Sequence, residues 1–308
     1  EKLSKFQINL MFKNILIIGF GMIGSSIAKT AFKNNKSTNI YALDRSPSIK
    51  ERLKKAKLSS VTCLKSFDEI DNSKIDLIII CTPVLQYKSI FQKLSQLKRN
   101  NFIVTDVGST KHNIEKIYKS GNFKFRFVPS HPIAGIEKSG LEYGFVGLFD
   151  NRYNIICPLK NTSKSDLNKI SKFWRSLSMK IDVMTSKEHD HVLSLTSHLP
   201  HIISYSLVLT AMKKEKSLNS KLVKFSAGGF RDFTRVAGSD PEMWRDISLA
   251  NSHQIQKLTD SFIKELKIFS QSLTSQNSDK LLKKLEMTKK VRNRIVKARQ
   301  AGKFIPND

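Results

Sequence analysis

Residues 14–35 read NILIIGFGMIGSSIAKTAFKNN, and the change of period inside this stretch decides the fold. The opening NILIIG (14–19) is a continuous apolar run, the pattern of a strand covered on both faces. The following GMIGSSIAKTAFKNN has the spacing of a helix that the strand feeds. At the junction, Gly19-Phe20-Gly21-Met22-Ile23-Gly24 matches G-x-G-x-x-G. In such a unit the first glycine permits the tight turn and the second lets backbone approach a pyrophosphate. The third lets helix and strand pack closely. The helix N-terminus then offers free N–H groups and a partial positive charge to the phosphates.

Working outward, NIYALD (39–44) reads as a second strand ending in an acid, Asp44, 20 residues beyond Gly24. A carboxylate there accepts hydrogen bonds from the adenosine ribose and repels a 2′-phosphate. NAD is therefore the expected cofactor, with the neighbouring Arg45 as a counter-signal toward NADP. A lysine-rich helix follows to about Ala56; IDLIIICTP (75–83) and FIVTD (102–106) are again apolar runs ending in turn residues. KFRFVPSHP (124–132) reads as a further strand that delivers His131 into a stiff, exposed turn between two prolines. RYNIICP (152–158), a helix near 164–178 and KIDVM (180–184) are expected to extend the same sheet. This alternation predicts an α/β domain with a doubly wound, mostly parallel Rossmann-type sheet over residues 1–184. Ligands of such sheets sit beyond the carboxyl ends of the strands. Thr82 and Pro83, Ser109, and His131 stand at three such ends.

After about residue 185 strand signals stop. KEHDHVLSLTSHLPHIISYSLVLTAMKK (187–214) predicts a long helix kinked at Pro200, and SAGGFRDFTRVAGSDPEMW (226–244) a Gly-rich loop. Helical patterns follow at 242–270 and 277–299, so residues 185–308 form an all-helical second domain.

Composition narrows the function classes. Lysine and arginine number 53 against 26 acids, a net charge of +27. The basic residues run the whole length, as in KERLKKAKL and LKKLEMTKK, without a dominant block or interleaved aromatics. That pattern favours solvated helix faces that steer small anions over specific nucleic-acid binding. No stretch reads as long and apolar enough to span a membrane, and the first residues lack a secretory pattern. Met11 marks a candidate native start, with residues 1–10 an extension. Three widely spaced cysteines argue against a disulfide framework, so a cytoplasmic protein is expected.

GFGMIGSSIA (19–28), DVGSTK (106–111), SHPIAGIEKSG (130–140), SHLPH (197–201) and GGFRDFTRVAGSDPEMWRDI (228–247) occur in this order. Together they resemble the prephenate and arogenate dehydrogenases of tyrosine biosynthesis, from about residue 13 onward. The resemblance implies NAD-dependent oxidative decarboxylation of a cyclohexadienyl substrate and a homodimer through the helical domain. It also implies the minimal, single-function form, without a chorismate mutase segment or a regulatory domain. Ile136 departs from the hydroxyl residue that relatives often carry after Ala-Gly. A β-hydroxyacid dehydrogenase shares the domain plan. That family relies on a helix lysine, where this chain has SHLPH and GGFRDFTR.

The resemblance assigns roles. His131 would take the ring-hydroxyl proton, for which a neutral imidazole with an ordinary pKa near ~6.5 is suited. Ser109 resembles the family serine on the same hydroxyl, although serine there would also serve as a helix cap. Arg235 would hold a substrate carboxylate; paired with Asp232 or Asp240 it would be a surface arginine instead. Ser197 and His201, four residues apart on one helix face, would sit at the substrate side chain. Trp244 would wall the pocket or anchor the core, and Glu137 would contact the cofactor or pair with Lys138 or Arg152. His189, His191, His198 and His201 fall within thirteen residues, but no cysteine or H-E-x-x-H frame completes a metal site. His112, His189 and His191 read as structural or solvated.

Overall fold

The apolar runs become strands because each is long enough to pair on both edges and bury both faces. In the computed structural model, which describes residues 12–297 apart from 36, 72, 98–100, 219–221 and 276, six strands make one sheet. They are β1 (Asn14–Ile18), β2 (Asn39–Leu43), β3 (Thr62–Leu64), β4 (Leu77–Ile80), β5 (Ile103–Asp106) and β6 (Arg126–Val128). All pairs are parallel and the order is β3-β2-β1-β4-β5-β6. Ile18 stands opposite Leu43 and Ile80, and Ile80 opposite Asp106, so four carboxyl ends line up along one edge. The three-residue β3 has no counterpart in the sequence reading. It is too short to show a period, and only its pairing with β2 makes it a strand. The proposed extension at residues 1–10, and Met11, lie outside the described residues.

Helices cover both faces. On one, α1 (Met22–Asn34) buries Ile27, Ala28 and Ala31 against Ile15 and Ile17, beside α2 (Ile49–Lys55). On the other, α3 (Tyr87–Ser95) and α4 (His112–Ser120) pack against Leu16, Ile78 and Ile80. There Phe91 meets Tyr118, Phe123, Phe125 and Phe127 at centroid distances of 5.8, 5.5, 5.5 and 5.1 Å. Each such buried ring or aliphatic side chain contributes about 1.5–3 kcal/mol.

The expectation of one continuous sheet fails after β6. The run KFRFVPSHP splits at Pro129 into β6 and β7 (Ser130–Pro132). Pro129 has no N–H for a ladder, and its carbonyl instead accepts from the Cys157 N–H at 2.9 Å. The chain thus leaves the main sheet and starts a second one. In it β7 pairs antiparallel with β8 (Tyr153–Ile156), and β8 pairs parallel with β9 (Lys180–Val183) across α5 (Lys164–Ser176). His131 therefore lies in a short edge strand opposite Ile155, half-buried, and not in an open turn.

The helical part begins with α6 (Ser186–Leu193), runs through a π-helical turn at Ser194–His198 and continues as α7 (Leu199–Leu218). The expected disturbance at Pro200 takes this form: the Leu199 N–H reaches back to Ser194, one residue further than in an α-helix. Within the helix Ser186–Ser217 an 18-residue window has a mean hydropathy of 1.3, enough by length and composition alone to cross a membrane, contrary to the sequence expectation. The Gly-rich segment is also helical and not a loop: α8 (Gly228–Thr234), a 3₁₀ turn at Arg235–Gly238, then α9 (Pro241–Ala250). Asp240 caps α9 through the Met243 N–H at 2.9 Å, with Pro241 at the first helical position. The helix expected at 242–270 breaks at Asn251, giving α10 (Ser252–Thr274), and α11 (Ser278–Lys297) follows.

Candidate active site

Two connected cavities open beyond the aligned strand ends. The larger, of about 1040 Å³, is lined by Gly19, Gly21, Asp44, Arg45, Thr82 and Pro83. The three glycines behave differently there. Gly19 has φ +85°, and a Cβ on it would lie 2.7 Å from Thr82 Cγ2 and 2.9 Å from the Thr82 backbone nitrogen. A Cβ on Gly24 would come within 3.0 Å of the Gly19 carbonyl oxygen and of Ile17 Cγ2. A Cβ on Gly21 would meet no protein atom within 4 Å, so this backbone faces open space. Gly21 precedes α1, and no side chain caps that helix. An uncapped N-terminus beneath open space fits a dinucleotide's phosphates. Met22 and Ile23, in the first turn, border the smaller cavity.

Asp44 does more than its position at a strand end announces. Its Oδ2 accepts the Phe20 N–H at 2.7 Å and its Oδ1 the Ser46 N–H at 2.8 Å, so it also holds the glycine loop in shape. Each oxygen retains a second lone pair for a ribose hydroxyl. Arg45, Lys65 and Lys93 line the same cavity.

The smaller cavity, of about 390 Å³, continues from Gly21, Thr82 and Pro83 to Ser109, His131 and Glu137. The loop carrying Ser109 and the strand β7 carrying His131 are joined by Asp106 at the end of β5. Its Oδ2 accepts the Gly108 N–H at 2.9 Å and its Oδ1 the Ser130 N–H at 2.9 Å. No hydrogen bond engages the Ser109 hydroxyl among the described residues, and the helix cap it was weighed for is supplied from elsewhere. Asp190 of α6 accepts the Lys111 N–H at 2.7 Å and the His112 N–H at 3.0 Å at the start of α4. Ile136, 41% exposed, puts an apolar group on the wall.

His131 Nδ1 lies 2.9 Å from Nε2 of His189, whose Nδ1 lies 2.8 Å from Asp190 Oδ1. Burial, reinforced by the neighbouring His189, Lys111 and His198, holds the His131 pKa well below its ordinary value. Burial also lowers His189, against the pull of Asp190. His131 is accordingly a neutral imidazole facing the cavity. His189 is fully buried and bonded to both His131 and Asp190, which removes the solvated half of its sequence reading. Only the adjacency of His and Asp in KEHDHV hinted at it.

The remaining candidates divide into two groups. Arg235 pairs with Glu137 at the cavity rim, and among the described residues with neither Asp232 nor Asp240. Ser197, His201 and Trp244 sit together and do not line the cavity. His201 Nδ1 lies 2.9 Å from the Ser197 carbonyl oxygen, and its ring stacks on Trp244 at 3.5 Å and 20°. Burial lowers the His201 pKa. The indole Nε1 of Trp244 and the Tyr205 hydroxyl are buried without a hydrogen-bond partner among the described residues. Met243 and Ile247, at helical spacing on α9, also line the cavity beside the cap residue Asp240, and neither was singled out in the sequence. A helix was expected from residue 242, but its period does not say which face meets the cavity.

Comparison with known proteins agrees with this architecture. Residues 27–183 match the prephenate dehydrogenase nucleotide-binding domain, and residues 185–287 the prephenate dehydrogenase dimerization domain. Cyclohexadienyl dehydrogenase of Zymomonas mobilis is 34% identical over 285 residues, covering 92% of this chain and 96% of that protein. Prephenate dehydrogenase of Bacillus subtilis is 32% identical over 295 residues, covering 92% and 76%. The crystal structure of Aquifex aeolicus prephenate dehydrogenase with hydroxyphenyl propionate and NAD+ superposes with a TM-score of 0.86. It is 33% identical, covering 93% of this chain and 99% of that one. Synechocystis arogenate dehydrogenase, at 24% identity and a TM-score of 0.75, shares the fold. With its Rossmann-type sheet, glycine cradle and helical C-terminal part, the chain belongs to the prephenate dehydrogenase family of NAD-dependent oxidoreductases.

Proposed function

We propose that this protein converts prephenate to 4-hydroxyphenylpyruvate in tyrosine biosynthesis, with His131 accepting the ring-hydroxyl proton. The observation that carries the reading is a half-buried His131, its pKa held well below the ordinary value, at the junction of the dinucleotide cleft and the smaller cavity. Bound NAD supplies the hydride acceptor. Gly19, Gly21, Met22, Ile23 and Gly24 shape the phosphate cradle, Asp44 and Arg45 flank the ribose, and Thr82 and Pro83 wall the nicotinamide end. Ser109, whose hydroxyl has no other partner among the described residues, shares the substrate hydroxyl with His131. Arg235 exchanges its bond with Glu137 for a substrate carboxylate, a charge-assisted contact of about 1.5–3 kcal/mol. Ser197, His201 and Trp244 serve the side-chain end, where the unspent donors of Trp244 and Tyr205 favour a polar group.

The chain is read as two domains meeting at 184/185 and as a homodimer through the second. Leu209 and Met212 on α7 and Leu266 on α10 leave 50%, 55% and 57% of their surface exposed, within the part matching a dimerization domain. The apolar helix Ser186–Ser217 carries Ser197 and His201 and lies in that same part, which favours a protein partner over a bilayer. Free cysteines at Cys63, Cys81 and Cys157 suit a reducing cytoplasm, and the dispersed basic residues require no nucleic acid.

The test is NAD reduction by the purified protein with prephenate and arogenate offered separately and carbon dioxide followed in parallel. Turnover with prephenate and stoichiometric decarboxylation is expected. Turnover with arogenate alone would move the substrate assignment; silence with both, from protein that binds NAD, would sink it.

A further inference from the structure

Neither His189 nor Asp190 lines either cavity; of the lining residues, His131 is the one that His189 bonds. Yet both are buried, with 0% and 3% exposure, and both are linked to His131 in an unbroken chain of 2.9 and 2.8 Å contacts. Asp190 is held in place by three residues from two places in the fold. Its carboxylate takes the Lys111 and His112 N–H groups of α4, and its carbonyl takes the Asn251 side-chain amide at 2.9 Å. Burial opposes its charge, but the His189 bond and the two backbone donors outweigh that and lower its pKa.

An ionised carboxylate only accepts hydrogen bonds. His189 Nδ1 must then carry a proton, so in the neutral ring Nε2 has only a lone pair. His131 Nδ1 must donate to that lone pair, and this leaves His131 Nε2 unprotonated on the other side of its ring. Without Asp190 the two histidines could be bonded in either direction, one of which puts a proton on the nitrogen needed as a base. We propose that His189 and Asp190 are positioning residues that fix His131 in its basic tautomer and hold the borrowed proton during the reaction.

This inference rests on the base assignment for His131, and the balance of the reaction defines what the chain must do. The substrate O–H bond breaks and its proton goes to His131 Nε2. The C–H pair leaves as hydride, and the bond to the ring carboxylate breaks to release carbon dioxide while its electrons close the aromatic ring onto the oxygen. That oxygen, a phenolate, takes the proton back. No net proton is released, so the protein needs a store and not an exit. His131 can pass its Nδ1 proton to His189 Nε2, placing the positive charge beside the Asp190 carboxylate. The groups facing His189 are His131, Asp190, His198, and the Lys111–Asp106 pair. Of these Asp190 is the acid in direct contact, and Lys111 is already neutralised by Asp106.

The experiment compares wild type, His131→Asn, His189→Gln and Asp190→Asn by the pH dependence of kcat and kcat/KM, with NAD affinity and histidine ¹⁵N spectra recorded on the same proteins. For His189→Gln and Asp190→Asn we expect kcat to fall by about 100- to 10,000-fold, with KM and NAD affinity little changed. The acid limb of kcat/KM should move to lower pH, because the imidazolium loses its anionic partner. Wild-type His131 should be protonated at Nδ1, and Asp190→Asn should show mixed tautomers. Wild-type rates, pH profile and tautomer in both variants, beside an inactive His131→Asn, would overturn the relay and leave the base intact. Full turnover in His131→Asn would remove the base assignment and the relay with it. Should the variants not fold, an unprotonated His131 Nδ1 in the wild type overturns the relay by itself.

Discussion

The ammonium nitrogen of Lys111 lies 2.5 Å from Oδ2 of Asp106, and both side chains are wholly shielded from solvent. The same oxygen accepts the Tyr87 hydroxyl at 3.0 Å and the Gly108 N–H, while the other holds Ser130. A buried pair of this kind adds little net stability, but removing one partner strands the other charge. Lys111→Met should therefore cost about 3–5 kcal/mol in urea unfolding. The double variant Lys111→Met/Asp106→Asn should recover part of that loss. A single variant within 1 kcal/mol of wild type would show that Asp106 does not depend on Lys111.

The glycine loop separates stability from binding. Gly19→Ala forces a Cβ onto a residue at φ +85° and against Thr82, so it should destabilise the fold by about 1–3 kcal/mol. Gly21→Ala meets only open space and should leave the melting temperature within a degree or two of wild type while weakening NAD binding. Calorimetry and NAD titration on the two variants check this, and equal loss of stability in both would contradict it.

Arg235 is half-exposed and its partner Glu137 lies at the cavity rim. Arg235→Gln should raise the apparent KM for substrate by about 10- to 100-fold with a smaller change in kcat, the loss of one charge-assisted contact. An unchanged KM would place the carboxylate elsewhere.

Acid stability should follow the buried histidines. Burial pushes His198 down to about 4, and His131 and His189 are lowered for the same reason. The unfolded chain, with ordinary values near ~6.5, binds more protons below that pH, so stability is fully present above it and falls as pH drops toward 4. His198 alone accounts for on the order of 3 kcal/mol across that window. Unfolding midpoints measured from pH 7 to 4 should decline, and His198→Asn should flatten the decline. A flat profile in the wild type would mean these rings are not held neutral.

Much of the α/β framework was legible because its signals are local. The strand at 14–18, the glycine turn and the acid at Asp44 are read from period and spacing within 31 residues. The apolar runs ending at Ile80 and Asp106 place Thr82 and Ser109 at strand ends in the same way. Errors arose where a local signal had two outcomes. Pro129 ended a ladder, but only pairing with Ile155 and Ile156 shows that the chain turned into a separate sheet. The glycines at 228 and 229 read as a loop, yet the segment is helical because α7 packs against it.

The sequence by itself determined the parallel sheet, the NAD cradle and the residue types that carry the chemistry, since these follow from periodicity, turn sterics and side-chain character. The tertiary structure decided which of those residues meet. His131 and His189 are 58 positions apart, Lys111 and Asp190 are 79 apart, and Glu137 and Arg235 stand in different halves of the chain. Hydrogen bonds and ion pairs act over about 3 Å, a separation that folding sets and that no local pattern of residues records.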